Sequence, residues 1–179
     1  PVREVRVFSR SPDNRRRFAE EMTRSLGLPV TPVDSAEQAI RGCQIAITAT
    51  TARDPVLLGE WLSEGMHVNA VGSNHARRRE LDASAVNRAS VAVVDSIEQA
   101  RMESGDLLAA YGPDGAAWNQ VIELADVLSG KAPARASSSQ ITLFKSNGLA
   151  LEDIAVAGHV YKSAILSRDF PSRDQRERI

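Results

Sequence analysis

Asn74 and His75 stand side by side behind Gly72 and Ser73, and three arginines, Glu80 and Asp82 follow within the sixteen residues HVNAVGSNHARRRELD, positions 67–82. An imidazole titrates near neutral pH and can give or take a proton. A carboxamide has no ionisable proton but offers both a donor and an acceptor. Together they can orient a polar group and protonate it, which makes Asn74 and His75 the candidate catalytic residues. The apolar residues before Gly72 read as a short buried strand, and the glycine as the turn that ends it. Ligands of an open α/β sheet sit outside the carboxyl ends of its strands, so this turn is the expected working edge. Arg77, Arg78 and Arg79 either draw in a carboxylate or form a solvated helical turn balanced by Glu80 and Asp82.

A second cluster follows the strand-like EVRVF at 4–8: Ser9, Arg10 and Ser11, two hydroxyls around a guanidinium. Those donors suit a phosphate. In a dinucleotide fold the second strand ends beside the adenosine ribose, where an acid binds the 2′-hydroxyl of NAD and an arginine accommodates the 2′-phosphate of NADP. With no acid here, NADP(H) is favoured over NAD(H). Thr48, Ala49, Thr50 and Thr51 end a later strand, and their small side chains and hydroxyls let a cofactor lie close to the backbone.

The elements that must position these residues alternate between strand and helix. Strands are expected at 4–8, 28–33, 44–48, 66–71, 90–95 and 141–144, with 44–48 buried in a parallel sheet. Helices are expected at 12–25 (capped by Ser11, Phe18, Met22 and Leu26 marking the apolar face, Gly27 stopping it), 36–41, 57–63, 81–87, 98–110 in two pieces split near Ser104, 120–128 and 148–166. In the last, Leu151, Ile154, Val160, Ala164 and Ile165 fall on or near one stripe. Such alternation predicts an α/β fold, a Rossmann-type, doubly wound and mostly parallel sheet. Residues 1–166 are read as an NAD(P)-binding domain and 167–179 as a charged tail.

Composition narrows the classes. A net charge of −1 gives no basic field to attract nucleic acid, and no apolar run has transmembrane length, so neither nucleic acid nor membrane is an expected partner. The single cysteine, Cys43, is read as a core residue of a cytoplasmic, reducing compartment. His67 and His159 lack partners at metal-ligand spacing, so no metal site is expected. Glu103 and Asp106 are read as capping a helix, without chemistry. No G-x-G occurs anywhere in the chain. Either no dinucleotide binds, or the first strand and its glycine loop precede Pro1 and the chain is a fragment of a two-domain protein.

Four ordered motifs bear on that choice: ITATTARDPVL at 47–57, HVNAVGSNHARRRELD, VVDSIEQARMESGDLL at 93–108 and ITLFKSNGLALEDIAVAGHVY at 141–161. Their pattern and order resemble the ornithine cyclodeaminase/mu-crystallin family up to about Tyr161. The resemblance implies a Rossmann cofactor domain preceded by a domain that makes a homodimer and supplies substrate-binding residues. It implies that the glycine loop lies just before strand 4–8. By motif it assigns Ser9, Arg10 and Ser11 to the NADP phosphate, Thr48, Ala49 and Thr50 to the cofactor-lining strand end, and Val71, Gly72 and Ser73 to the nicotinamide turn. Lys145, Ser146, Asn147 and Gly148 fall in the segment that closes over the nicotinamide, with helix-opening amides as donors.

The family's central motif is similar to G-x-D-x-P-G-K-x-E-L. Its Asp falls at Asn74, and its Pro-Gly-Lys at Ala76, Arg77 and Arg78. Asn74 cannot act as a general base, which disfavours cyclodeamination and leaves reduction of a small imino acid of ketimine or pyrroline-carboxylate type. An amino-acid dehydrogenase or cyclodeaminase with another base, and a non-catalytic NADPH- or metabolite-binding protein, are the alternatives.

Overall fold

The structure is a computed structural model that describes residues 2–133 and 135–166. The alternating valines of EVRVF form β1 (Val5–Val7). The Ser11 hydroxyl accepts the Asn14 amide and Pro12 takes the first turn of α1 (Pro12–Leu26), where its missing N–H is not needed. The chain returns as β2 (Val30–Pro32), parallel to β1 with Val5 opposite Val30. Ser35 caps α2 (Ala36–Ile40), whose end is tied to β1 because Arg6 Nη1 donates to the Gln38 and Arg41 carbonyls.

A second sheet follows, built from β3 (Ile45–Thr48), β4 (His67–Ala70), β5 (Val91–Val94), β6 (Val121–Glu123) and β7 (Thr142–Lys145). Its order is β3-β4-β7-β5-β6, every pair is parallel, and β1-β2 forms a separate two-stranded sheet. The Rossmann-type parallel α/β architecture expected from the sequence is present. The central strands β4, β7 and β5 bury Val68, Ala70, Leu143, Ala92 and Val94; β5 is a continuous apolar run, while β4 alternates buried and half-buried residues. Their register sets Thr48 beside Ala70, Ala70 beside Lys145 and Lys145 beside Val94, so four strands end along one edge.

The connections are α3 (Ala83–Arg88), α4 (Ile97–Glu103), α5 (Gly105–Tyr111) and α6 (Leu124–Leu128). Beyond α5 the buried Trp118 packs edge-to-face on Tyr111, with centroids 5.7 Å apart, and donates its indole N–H to the Gly112 carbonyl at 2.7 Å. Burial raises the Tyr111 pKa above its ordinary value, so the phenol stays neutral. The chain forms two compact units that divide between Asn147 and Gly148. The second contributes α7 (Ala150–Leu166), whose Leu151, Ile154, Val160 and Ile165 are exposed. Among the described residues no helix is long and apolar enough to cross a membrane.

Several expectations need correction. The segment 57–63 forms only a 3-10 turn at Gly59–Trp61, because the Val56 and Leu57 amides are drawn to the Glu80 carbonyl. The segment 120–128 is not one helix: Val121 and Ile122 pair with β5 as β6 before α6 starts. The strand expected to be buried at 44–48 is an edge, with Ile45 54% and Ile47 64% exposed. On α1 only Ala19 is buried, and Phe18 and Leu26 face out. Cys43 is half-buried against the core, its thiol donating to the Ala39 carbonyl. The tail at 167–179 lies outside the described residues.

These environments separate the strands energetically. Leu143→Ala in central β7 is expected to cost about 2–5 kcal/mol, whereas Ile47→Ala on the edge should cost less than about 1 kcal/mol, both read by urea unfolding.

Candidate functional site

The end of β3 and the turn after β4 are joined by one carboxylate. Glu80 is fully buried; its Oε2 accepts the Thr48 hydroxyl at 3.0 Å and the Gly72 amide at 2.8 Å, and its Oε1 accepts the Thr50 amide at 2.6 Å. Only glycine fits at 72, since a Cβ would lie 2.2 Å from the Thr50 nitrogen and 2.4 Å from Glu80 Oε1. Glu80 is itself held from behind. Asp106 Oδ1 accepts the Glu80 and Leu81 amides at 2.7 and 2.9 Å.

Asp106 Oδ2 lies 3.5 Å from Lys145 Nζ, and both side chains are fully buried. The ammonium also donates to the carbonyls of Ala70, Ser146 and Ser73, so its protons are consumed inside the protein. Burying two ions costs several kcal/mol each, and is tolerable only where the pair and its hydrogen bonds compensate. Lys145 thus acts on the edge by fixing the Ser73 turn. A second acid, Asp95 at the end of β5, orders the segment after β7: its Oδ2 accepts the Ser146 hydroxyl at 2.9 Å and the Asn147 amide at 2.8 Å. The Asn147 side chain is buried, and neither Oδ1 nor Nδ2 has a hydrogen-bond partner.

Over this buried scaffold sit the exposed candidates. Ser73 Oγ donates to the Arg78 carbonyl, closing a loop from which Asn74 and His75 face out. His75 Nδ1 accepts the Arg77 amide at 3.1 Å, which leaves the proton of the neutral ring on Nε2. The loop rests on the first residue of α5, where a Cβ on Gly105 would meet the Arg78 carbonyl oxygen at 2.1 Å. Arg77 and Arg79 line a cavity of about 370 Å³ with Ala76, Gly105, Leu108 and Ala109. The expected balance of these arginines by Glu80 and Asp82 is not found: Glu80 serves the turn, and Asp82 Oδ1 caps α3 and accepts the Gly59 amide.

At the end of β1, Ser9 Oγ donates to the Ser11 carbonyl and Arg15 donates to the Ser9 carbonyl. Ser11 Oγ accepts the Asn14 amide and keeps its own proton to donate. The exposed Arg10 makes no hydrogen bond or ion pair among the described residues.

The five-stranded sheet therefore brings Thr48, Ala49, Thr50, Val71, Gly72, Ser73, Ser146 and Asn147 to one edge, while Ser9, Arg10 and Ser11 end a strand of the other sheet. The free amides expected at 146–148 are not present in that form: the Ser146 amide bonds Ala70, the Asn147 amide bonds Asp95, and α7 starts at Ala150. Sequence reasoning missed Glu80, Asp95 and Asp106 as organisers. The available signal was an acid ending an apolar strand, as in VVD at 93–95.

Lys145→Met leaves Asp106 buried without its cation and is expected to cost about 3–5 kcal/mol in denaturant unfolding. Adding Asp106→Asn should recover about 1–2 kcal/mol relative to the sum of the single losses, so strictly additive losses would contradict a working pair.

The family model that matches the chain, over residues 1–167, is described as the ornithine cyclodeaminase/mu-crystallin family. Ketimine reductase mu-crystallin of Mus musculus is 40% identical over 161 residues, which is 90% of this chain and 47% of that protein. The structure of Thermococcus litoralis Delta(1)-pyrroline-2-carboxylate reductase in complex with NADH and L-proline matches with a TM-score of 0.87 at 38% identity, covering 92% of this chain and 51% of that one. An archaeal alanine dehydrogenase dimer with bound NAD matches with a TM-score of 0.82 at 32% identity, covering 96% and 52%. The chain spans about half the length of the relatives it matches.

Proposed function

The chain belongs to the ornithine cyclodeaminase/mu-crystallin family, and on that premise we propose that it forms the cofactor-binding part of an NADP(H)-dependent reductase of small imino acids, of ketimine or pyrroline-carboxylate type. The observation that carries the choice of reaction is Asn74, exposed at the tip of the central turn where the family motif has an aspartate.

The residues fit a nicotinamide dinucleotide. Arg10 and the Ser11 hydroxyl proton, at the start of α1, offer a cation and a donor to the 2′-phosphate. The preference for NADP(H) rests on this chain's own residues, since the solved relatives above carry NADH or NAD. Thr48, Ala49, Thr50, Val71, Gly72, Ser73, Ser146 and Asn147 would hold the nicotinamide half, with Lys145 bracing them from below and Gly148 following. A bound dihydronicotinamide supplies hydride to the imine carbon. Asn74 orients the imine nitrogen or the substrate carboxylate through its carboxamide. His75 supplies the proton to the nitrogen through Nε2, the ring nitrogen that the Arg77 amide leaves free. Hydride and proton together convert the C=N bond to an amine. In this reading the remaining half of the relatives' length supplies the dimer contact and further substrate residues, in a cytoplasmic enzyme.

In the full-length context, cyclic imino acids should drive NADPH oxidation followed by absorbance; ammonia release from ornithine or alanine instead would favour a cyclodeaminase or dehydrogenase. Arg10→Ala should weaken NADPH about tenfold and NADH less than about twofold. Asn74→Ala should lower kcat/KM about tenfold or more; tight NADPH binding without turnover, unchanged by this substitution, would support a binding protein.

The 179-residue chain alone should bind NADPH with a dissociation constant weaker than about 100 μM, because no described strand joins β1 to β3. Micromolar affinity in a fluorescence titration would overturn that.

A further inference from the structure

Asn147 is 6% exposed, two residues past the end of β7 in the middle of the larger sheet. Its backbone is fixed by Asp95, while its Oδ1 and Nδ2 are buried without partners. The polar groups around it in sequence and register are engaged: the Ser146 hydroxyl with Asp95, the Ser146 amide with Ala70, and the Lys145 ammonium with three carbonyls and Asp106. Each buried polar group without a partner carries a desolvation penalty that an apolar side chain of the same size would avoid. A ligand carrying the right donor and acceptor would supply the missing bonds.

The pattern of orphaned atoms restricts the ligand. A carboxylate only accepts, so it satisfies Nδ2 and leaves Oδ1; a guanidinium or ammonium only donates, and does the reverse. A carboxamide has both functions on one carbon, at the spacing of the asparagine's own amide. We infer that the Asn147 side chain pairs with the carboxamide of a bound nicotinamide, and so selects the amide over its carboxylate form. This rests on the cofactor reading above and goes beyond it by naming the side-chain atoms that read the ring substituent. In the ligand-free protein Asn147 is then a stored instability, relieved on binding.

The test uses the 179-residue chain and nitrogen–proton correlation spectra, which resolve side-chain amide pairs; the pair absent from Asn147→Leu is that of Asn147. Millimolar NADPH is expected to shift this pair. The 2′-phosphate of ADP-ribose, which keeps the adenosine end and lacks nicotinamide, should move the backbone amides of residues 9–11 and leave the pair in place. The dinucleotide with nicotinic acid replacing nicotinamide should bind about 5–20-fold more weakly than NADPH to the native chain and about equally to Asn147→Leu. Without ligand, Asn147→Leu should raise the Tm by about 2–6 °C. A pair that stays in place while residues 71–73 respond to NADPH overturns this inference and leaves the cofactor reading intact. A pair shifted by L-proline alone, or a lower Tm for Asn147→Leu, overturns it also. Spectra unchanged by every nucleotide overturn this inference, while the cofactor reading stands or falls on the full-length assays above.

Discussion

One buried carboxylate holds the working edge in shape. Glu80 has no solvent to share its charge with, so its stability depends on the donors from Thr48, Thr50 and Gly72 arriving together. Those donors come from the end of β3, the loop after it and the turn after β4, which strand pairing brings side by side. The demand for satisfaction therefore fixes the loop after β3 against the turn after β4. It also explains why position 72 tolerates no side chain. Asp106 extends the same logic backwards by holding the Glu80 amide, and Lys145 closes the circuit through the Ser73 carbonyl. Charged groups that read as surface chemistry are the frame, and the exposed carboxamide and imidazole are what the frame presents.

Much of the fold was legible because its signals are local. Ser11 followed by Pro12 and closed by Gly27 specifies α1 without reference to any other element. The split near Ser104 was equally local, since that side chain caps α5. What escaped was decided at long range. Val121 and Ile122 became β6 because β5 was there to pair with them. Residues 57–63 stayed largely irregular because the Leu57 amide bonds the Glu80 carbonyl and the Gly59 amide bonds Asp82. For the site, the positions on the strand ends were readable from motif and topology. The roles of Glu80, Asp95 and Asp106 were not, because burial of an acid depends on partners 8 to 52 positions away, most of them 25 or more.

The departure at Asn74 gains weight from its surroundings. The acids beneath it are all occupied as acceptors for the protein's own donors, so none is placed to serve as the missing base. What remains at the surface of the turn is a neutral amide, an imidazole and a cluster of arginines, a set suited to orienting an acid substrate and delivering a proton.

The separation of β1-β2 from the larger sheet has a mechanical meaning. The small sheet is tethered through Arg6, whose guanidinium grips the end of α2 by two carbonyls. Ser9, Arg10 and Ser11 therefore sit on the small sheet and the edge with Gly72 and Asn147 on the larger one, within one compact unit. A long ligand that touches both acts as a crosslink. A dinucleotide bound as proposed would span both sheets, and ordering at one end would lower the entropic cost of ordering at the other.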